Sequence, residues 1–204
     1  MRRQKIKQIL FLAVAAVFLV FPLRAEPMAP AAVIEKLHEK LISVMRAADA
    51  LGYAGRREEL APVLLASFDL RRMSQVTVGS NWKTMTDAQR DALVEAFTDM
   101  TISNYASRFK GFSGEFFETL GTLETPHKDI VVQTHIVTSD EKIRIDYLLR
   151  ETPDGWRIID IFLKGTISEL AARRSEYMTV IRDQGVDVLI GAVRKKAASL
   201  AAAS

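Results

Sequence analysis

The chain has 204 residues, of which 28 are basic and 25 acidic, and it contains no cysteine. Residues 1–25 hold five of the basic residues and none of the acidic ones, which leaves 23 basic and 25 acidic residues in the remaining chain, a net charge of −2. This balance does not indicate a nucleic-acid partner. The lack of cysteine excludes a disulfide framework and a cysteine nucleophile, so burial of apolar side chains must hold the fold together.

The first 25 residues predict a secretory signal peptide. A basic N-terminus is followed by an uninterrupted apolar run of thirteen residues, 9–21, and Ala25 offers a small residue for cleavage before Glu26. A bilayer-spanning helix needs about 20 apolar residues, so the run favours a cleaved leader over an uncleaved anchor. We therefore expect an exported protein with a signal peptide over residues 1–25 and a single domain over residues 26–204.

The N-terminal part of this domain has helical periodicity. Apolar residues three and four positions apart predict a helix over residues 31–50, which Gly52 and Gly55 are expected to end. A second helical segment is predicted over residues 56–68, where Pro62 either starts or kinks the helix.

Local capping signals predict the next two helices. Asp69 is a plausible cap for a short helix over residues 70–78, and Gly79 stops it. The sequence TDAQ, which begins at Thr86, is a capping box. The helix that this box opens is expected to run to about Lys110.

The periodicity then changes to two, which predicts a sheet. Residues 130–138, 142–150 and 156–163 are rich in β-branched and aromatic residues, and a Pro-Asp-Gly turn separates the last two segments. Residues 115–120 are a candidate shorter strand.

Helices return after the strands. Ser168 is a candidate cap for a helix over residues 169–183, Gly185 stops it, and another helix follows over residues 186–199. Helices, then a meander of three to four antiparallel strands, then helices again define an α+β protein. We expect a curved antiparallel sheet that is covered by helices on one face and encloses an apolar cavity.

The residues available for catalysis are few. His38, His127 and His135 share no metal-ligand spacing, and His38 and His135 are predicted to be surface or boundary residues. The chain has no paired-histidine zinc motif and no glycine-rich phosphate loop. We therefore predict neither a metal site nor a cofactor.

Two carboxylates leave an enzymatic alternative open. Asp146 and Asp160 lie on neighbouring predicted strands, and a carboxylate in an apolar cavity can act as a base in an isomerase or hydratase. Asp160 interrupts an apolar run, and Arg174 interrupts the apolar face of the next helix. Because a buried acid without a partner is costly, we favour a structural ion pair between Asp160 and Arg174 over catalysis.

Five segments of the chain together resemble the periplasmic lipid carriers of the MlaC and toluene-tolerance family, in the order and at the spacing of that family: VGSNWKTMTDAQRDALVEAF, NYASRF, IRIDYLLR, DGWRIIDIFLKGTIS and QGVDVLI. The segment GTISELAARRSEY is most similar to the branch associated with hopanoid biosynthesis, since phospholipid carriers usually lack the residue that Thr166 represents.

The resemblance implies a deep apolar cavity in a fold with a nuclear-transport-factor-like outline. It also implies a lipid-binding carrier rather than an enzyme. Such a carrier moves phospholipid or hopanoid through the periplasm, between an inner-membrane ABC transporter complex and an outer-membrane lipid-transfer assembly. We expect it to work as a monomer and without a cofactor.

Large apolar residues on the long helix, on the inward face of the sheet and on the flanking segments are the candidates for the cavity wall. Methionine and aromatic side chains suit an apolar ligand of variable shape. The predicted lipid-binding residues are Met73, Val76, Trp82, Phe97, Met100, Tyr105, Ile145, Tyr147, Ile158 and Leu170.

Overall fold

The computed structural model describes residues 28–202. The predicted signal peptide and its cleavage site lie outside these residues. Six α-helices are present in the described part of the chain: α1 (Pro30–Arg46), α2 (Ala48–Ser67), α3 (Leu70–Val78), α4 (Asp87–Arg108), α5 (Glu169–Gln184) and α6 (Val186–Ala202). A short 3₁₀ helix, Gly79–Lys83, follows α3. The strands are β1 (Phe116–Glu124), β2 (Ile130–Val137), β3 (Lys142–Thr152), β4 (Gly155–Leu163) and β5 (Ile167–Ser168).

The five strands form one antiparallel sheet in the order β1-β2-β3-β4-β5, so each strand pairs with its neighbour in sequence. The predicted α+β class is confirmed, with five strands where the sequence predicted three to four. β1 continues four residues beyond the predicted end of the first strand. A register shift between Thr119 and Gly121 interrupts the alternation of side chains between the two faces of β1. The two-residue periodicity that predicts a strand is therefore lost in the second half of β1.

Three predicted helix starts are confirmed by their capping hydrogen bonds. The Asp69 carboxylate accepts from a backbone N–H three residues later, at 2.8 Å. Thr86 and Gln89 form the reciprocal capping box. The Ser168 hydroxyl accepts from the Ala171 N–H at 2.9 Å. Each bond satisfies one of the backbone donors that a helix leaves free at its N-terminus.

Several predicted helix ends were wrong. The first helix ends at Arg46, four residues before the predicted end, and the chain turns directly into α2. Gly52 is non-helical, with φ 59° and ψ −173°, so it breaks α2 near its start. Gly55 and Pro62 both lie inside α2, so the second helix begins before residue 56 and, of the two alternatives for Pro62, it does not start the helix. α4 ends at Arg108, in agreement with the predicted end at about residue 110.

The hydrophobic core lies between the helices and one face of the sheet. From α1, Ile34, Leu37 and Leu41 are fully buried and pack in one cluster with Leu149 and Ile158 of the sheet. Burying each such side chain stabilises the fold by about 1.5–3 kcal/mol relative to exposure. None of the helices within residues 28–202 combines the length and the apolar character that crossing a bilayer requires.

The junction between α2 and α3 is joined to the sheet through the backbone. Phe68 forms an isolated parallel bridge with Ile158 of β4, and the Asp69 N–H donates to the Ile158 carbonyl oxygen at 3.0 Å. The helical layer and the sheet are therefore connected by a main-chain hydrogen bond as well as by side-chain packing.

Candidate functional site

All ten predicted lipid-binding residues belong to one region, the central core cluster. Met73, Phe97, Met100, Tyr147, Ile158 and Leu170 are buried members of this cluster, and the other four are partly buried and packed against it: Val76, Trp82, Tyr105 and Ile145. The structure therefore brings these residues together around the interior between helices and sheet.

The largest described cleft lies beside this cluster, with a volume of about 810 Å³. We call it the hairpin cleft, because residues 151–157 of the β3–β4 hairpin form one wall, while α1 and the C-terminal end of α2 form the other. None of the ten predicted residues lines it. Its apolar surface includes Val33, Val63 and Trp156, which are also part of the core cluster or packed against it. The hairpin cleft thus lies against the outer side of the hydrophobic core.

Charged side chains surround this apolar surface. Lys36, Glu151, Asp154 and Arg157 line the hairpin cleft, and none of them takes part in a salt bridge with another of residues 28–202. The hairpin cleft therefore combines an apolar wall with charges of both signs that are free to contact a polar group. Sequence reasoning missed this site. The available signal was Trp156, a large aromatic residue placed directly after a Pro-Asp-Gly turn.

Tyr105 of α4 is partly buried and packs against the core cluster. Its ring packs edge-on against Phe68, with centroids 5.9 Å apart, and is stacked with Phe109 at 5.6 Å. The side chain keeps part of its accessible surface, yet burial in apolar surroundings, together with the Glu169 carboxylate, raises the pKa of Tyr105.

The Asp146 carboxylate is held by an arginine of its own strand. Asp146 is buried, and Arg144 donates to it from Nε at 3.0 Å and from Nη2 at 2.9 Å. The guanidinium contacts both carboxylate oxygens, so Asp146 is engaged in a bidentate ion pair within its own strand.

Asp160 does not form the predicted ion pair. Among residues 28–202 no salt bridge joins it to Arg174. The carboxylate instead accepts from the Ser168 hydroxyl at 2.6 Å, from the Leu170 N–H at 3.2 Å and from the Ile161 N–H at 2.7 Å. The predicted partner was wrong: Asp160 joins β4 to the start of α5 through the Ser168 hydroxyl and the Leu170 N–H, one of the backbone donors that a helix leaves free at its N-terminus.

Arg174 is exposed and faces α3 instead of β4. A Cβ built at Gly79 would lie only 2.7 Å from Nη2 of Arg174, so the guanidinium rests against the glycine that ends α3. Gly79 itself has φ 54°, a conformation that favours glycine.

The three histidines differ in burial: His127 is exposed, His135 is partly buried and His38 is buried. The prediction of a boundary position was wrong for His38, which is only 5% exposed. It lies on the apolar face of α1, four residues after Ile34 and three before Leu41, a spacing that was visible in the sequence. Residues 28–202 contain no group of three or more His, Asp or Glu side chains arranged to hold a metal ion.

A helical layer packed on one face of a curved antiparallel sheet defines an α+β protein. The family model described as MlaC protein matches residues 35–195, and the chain belongs to this family.

The fold is also similar to a solved structure, the phospholipid-binding protein from Ralstonia solanacearum in complex with a phospholipid. The two chains share 18% sequence identity and superpose with a TM-score of 0.76. The match covers 85% of this chain and 99% of that one. At this level of identity the similarity establishes a common fold.

Proposed function

We propose that the protein is a lipid carrier that takes up the apolar part of a lipid through the hairpin cleft. The observation that carries this proposal is the contact between the largest described cleft and the hydrophobic core, with charged side chains around an apolar wall. Lipids combine a polar head with apolar tails, and this arrangement matches both parts. Membership in the MlaC family and the phospholipid in the similar structure support the same function.

The physics of burial explains how such a carrier holds its ligand. Each methylene removed from water is worth about 0.8 kcal/mol, so a tail of about 15 methylenes is held against escape into water by about 12 kcal/mol. Transfer between a membrane and the protein exchanges one apolar environment for another, and is therefore close to balance. The carrier needs no energy source of its own, and its partners set the direction of transport.

The core cluster supplies the proposed wall for the tails. Methionine and aromatic side chains adapt to guests of different shape, and Met73, Met100, Phe97 and Tyr105 provide both kinds on the helical side. We propose that the ten core residues predicted above form this wall once lipid enters from the hairpin cleft.

We also propose where the carrier works. A signal peptide over residues 1–25 directs the chain to the periplasm, and residues 26–204 form a single lipid-binding domain that acts as a monomer. The partners are an inner-membrane ABC transporter complex and an outer-membrane lipid-transfer assembly. The ligand is a phospholipid or a hopanoid. The similar structure supports the first, and the segment over residues 165–177 supports the second.

The alternative of an isomerase or hydratase has less support. Its two candidate bases, Asp146 and Asp160, both accept several hydrogen bonds, and neither lines the hairpin cleft. The carrier proposal therefore rests on binding alone, without a chemical step.

Lipid analysis of the purified protein tests the proposal. The full chain, with its leader, is expressed in a Gram-negative host and purified from the periplasm without detergent. Solvent extraction followed by mass spectrometry is expected to yield bound phospholipid or hopanoid in a fixed ratio to protein. Protein that is folded and free of lipid, and that takes up none from vesicles, would contradict the proposal.

A further inference from the structure

The first strand lies at an open edge of the sheet. Among the strands within residues 28–202, β1 pairs only with β2, and no backbone hydrogen bond joins β1 to any other element of that part of the chain. One side of this nine-residue strand therefore presents backbone N–H and C=O groups that can pair with a further strand.

This edge is also apolar. Four of the eight exposed large apolar side chains in residues 28–202 belong to β1 or to the turn before it: Phe112, Phe116, Leu120 and Leu123. Proteins usually protect an open edge with lysine, with proline or with a covering element. β1 contains neither of these residues. Its exposed apolar side chains are suited to a contact with another chain.

A groove lies between this edge and α1, with a volume of about 590 Å³. We call it the edge groove; its lining includes Glu35, Glu39, Ile42 and Arg46 of α1 with Phe116 and Phe117 of β1. It shares no lining residue with the hairpin cleft. A segment that adds to an open strand gains main-chain hydrogen bonds, and pockets beside the strand select its side chains.

The floor of the edge groove is held in place from inside the protein. The Phe117 ring is stacked on His38 with centroids 3.8 Å apart, and Nε2 of His38 lies 3.0 Å from the Tyr147 hydroxyl. β1 is in regular register with β2 from Phe116 to Thr119, before the register shift. The groove therefore offers a preformed surface, which reduces the entropy that a partner loses on binding.

The charge of the edge groove favours a basic partner. Glu35 and Glu39 are exposed and lie one turn apart on α1, and neither forms a salt bridge with another of residues 28–202. Like charges four positions apart slightly destabilise a helix, so the stability of α1 does not explain this pair. The guanidinium of Arg46, in contrast, lies over the Phe112 ring, 4.9 Å from its centroid.

We propose that the edge groove binds an extended, basic and apolar segment of a partner protein, which adds to β1 as a further strand. The main chain of this segment pairs with residues 116–119. Its apolar side chains contact Phe116 and Phe117, and its lysine or arginine side chains pair with Glu35 and Glu39. A second copy of the chain fits less well, because a symmetric contact would bring two sets of the same free carboxylates together.

Two synthetic peptides test this partner chemistry. Both have seven residues; one alternates lysine with valine, and the other alternates glutamate with valine. Each is titrated into the purified full-length mature protein at low salt. The lysine peptide is expected to bind at least about tenfold more tightly, since the two carboxylates attract it and repel the other. Equal affinities would overturn the proposal.

A pair of double variants locates the binding site. Glu35→Gln/Glu39→Gln should weaken binding of the lysine peptide about two- to thirtyfold, because two exposed ion pairs are lost. The matched control is Glu58→Gln/Glu176→Gln, which changes the net charge equally at two exposed acids that do not line the edge groove. It should bind the peptide as the wild type does. Equal losses in the two double variants would overturn the assignment to the edge groove.

Amide exchange tests the mode of binding. The amides of residues 116–119 that do not pair with β2 should exchange at least about tenfold more slowly in the complex with the lysine peptide. Unchanged exchange at these amides would overturn strand addition. A dimer of the protein alone, seen by sedimentation and protecting the same amides, would overturn the choice of partner. The lipid content of both double variants should equal that of the wild type, so these tests are independent of the carrier function.

Discussion

The Asp160 carboxylate accepts a hydrogen bond from the Ser168 hydroxyl at 2.6 Å, and this contact joins β4 to the N-terminus of α5. Asp160→Ala should destabilise the protein by about 1–3 kcal/mol, because the Leu170 N–H and the Ser168 hydroxyl both lose their acceptor. Urea unfolding measures the change.

A double-mutant cycle with Ser168→Ala should show coupling to Asp160→Ala of at least about 0.5 kcal/mol, as is usual for residues in contact. The control is Arg174→Ala, because Arg174 is exposed. This substitution should change the free energy of unfolding by no more than about 0.5 kcal/mol, and its effect should be additive with that of Asp160→Ala. Strong coupling between Asp160 and Arg174 would instead support the ion pair that was predicted from the sequence.

The stability of the protein should fall in mildly acidic solution because of His38. Burial lowers the pKa of His38 to about 3 in the fold, whereas the unfolded chain titrates near the ordinary histidine value of about 6.5. Below that value the unfolded state binds a proton that the folded state does not. The free energy of unfolding should therefore drop by about 1.4 kcal/mol for each pH unit between about 6.5 and 3.

Thermal unfolding of the wild type and of His38→Leu, measured between pH 7 and about pH 4.5, checks this dependence. This pH range lies above the ordinary carboxylate pKa values, so the protonation of histidine dominates the change in stability across it. His38→Leu should have the flatter profile. Parallel profiles for the two proteins would assign the acid sensitivity to other groups.

The pair of Asp129 and Arg150 should contribute more to stability than the surface ion pairs. Arg150 donates to the two carboxylate oxygens at 2.7 Å and 2.6 Å, and Asp129 is buried. Hydrogen bonding from Arg150 lowers the pKa of Asp129. This stabilisation is therefore present above the unfolded carboxylate pKa and is lost as the pH falls towards the lower folded value.

Asp129→Ala would leave Arg150 opposite Arg157, its partner across the β3–β4 ladder. Loss of one member of a fully buried pair costs about 3–5 kcal/mol, but Arg150 is 41% exposed, so about 2 kcal/mol is expected here. The matched control is Asp91→Ala, which removes an exposed pair with Arg71 and should change stability by less than about 1 kcal/mol. If Asp129→Ala and Asp91→Ala lowered the free energy of unfolding equally in chemical unfolding, this would contradict the expectation that the more buried ion pair contributes more to stability.

Narrowing the hairpin cleft should reduce lipid uptake. Ala66 and Leu65 are adjacent exposed residues of α2, but Ala66 lines the hairpin cleft and Leu65 does not. Ala66→Trp should therefore lower the amount of lipid that co-purifies with the protein, whereas Leu65→Trp should leave it unchanged. Mass spectrometry of both variants, after a check of their folding, provides the comparison. Equal lipid content would place the route of entry elsewhere.

Export should remove the predicted leader. N-terminal sequencing of periplasmic protein is expected to begin at or near Glu26, because the apolar run is too short to remain as a bilayer-spanning anchor. Intact Met1 in the membrane fraction would contradict a freely moving carrier.

Features that depend on a few neighbouring residues could be predicted from the sequence. The caps at Asp69, Thr86 and Ser168 were correct because each hydrogen bond spans only three residues, so no knowledge of tertiary structure was needed. The glycines show the limit of this reasoning. Gly79 and Gly185 end helices as expected, whereas Gly55 continues one, since helix packing overrides a weak local preference.

Features that depend on tertiary geometry could not be predicted. The hydrogen-bond partner of Asp160 depends on the rotation of α5 about its own axis. The spacing of the apolar residues along α5 does not determine which donor lies within reach of the carboxylate. The hairpin cleft involves Val63 and Trp156, which are far apart in sequence. The clustering of the ten core residues could be predicted, because periodicity identifies the inward face of each element.

The bridge between Phe68 and Ile158 restricts how the helical layer and the sheet can separate. The Asp69 N–H is bound to the Ile158 carbonyl, so the two layers cannot part at this point without loss of a main-chain hydrogen bond. Widening of the interior should then be a rotation about this pivot, with the largest displacement in elements far from it. The ladders of the antiparallel sheet would remain closed throughout. Amide exchange at Asp69 should accordingly stay slow whether or not a guest is bound.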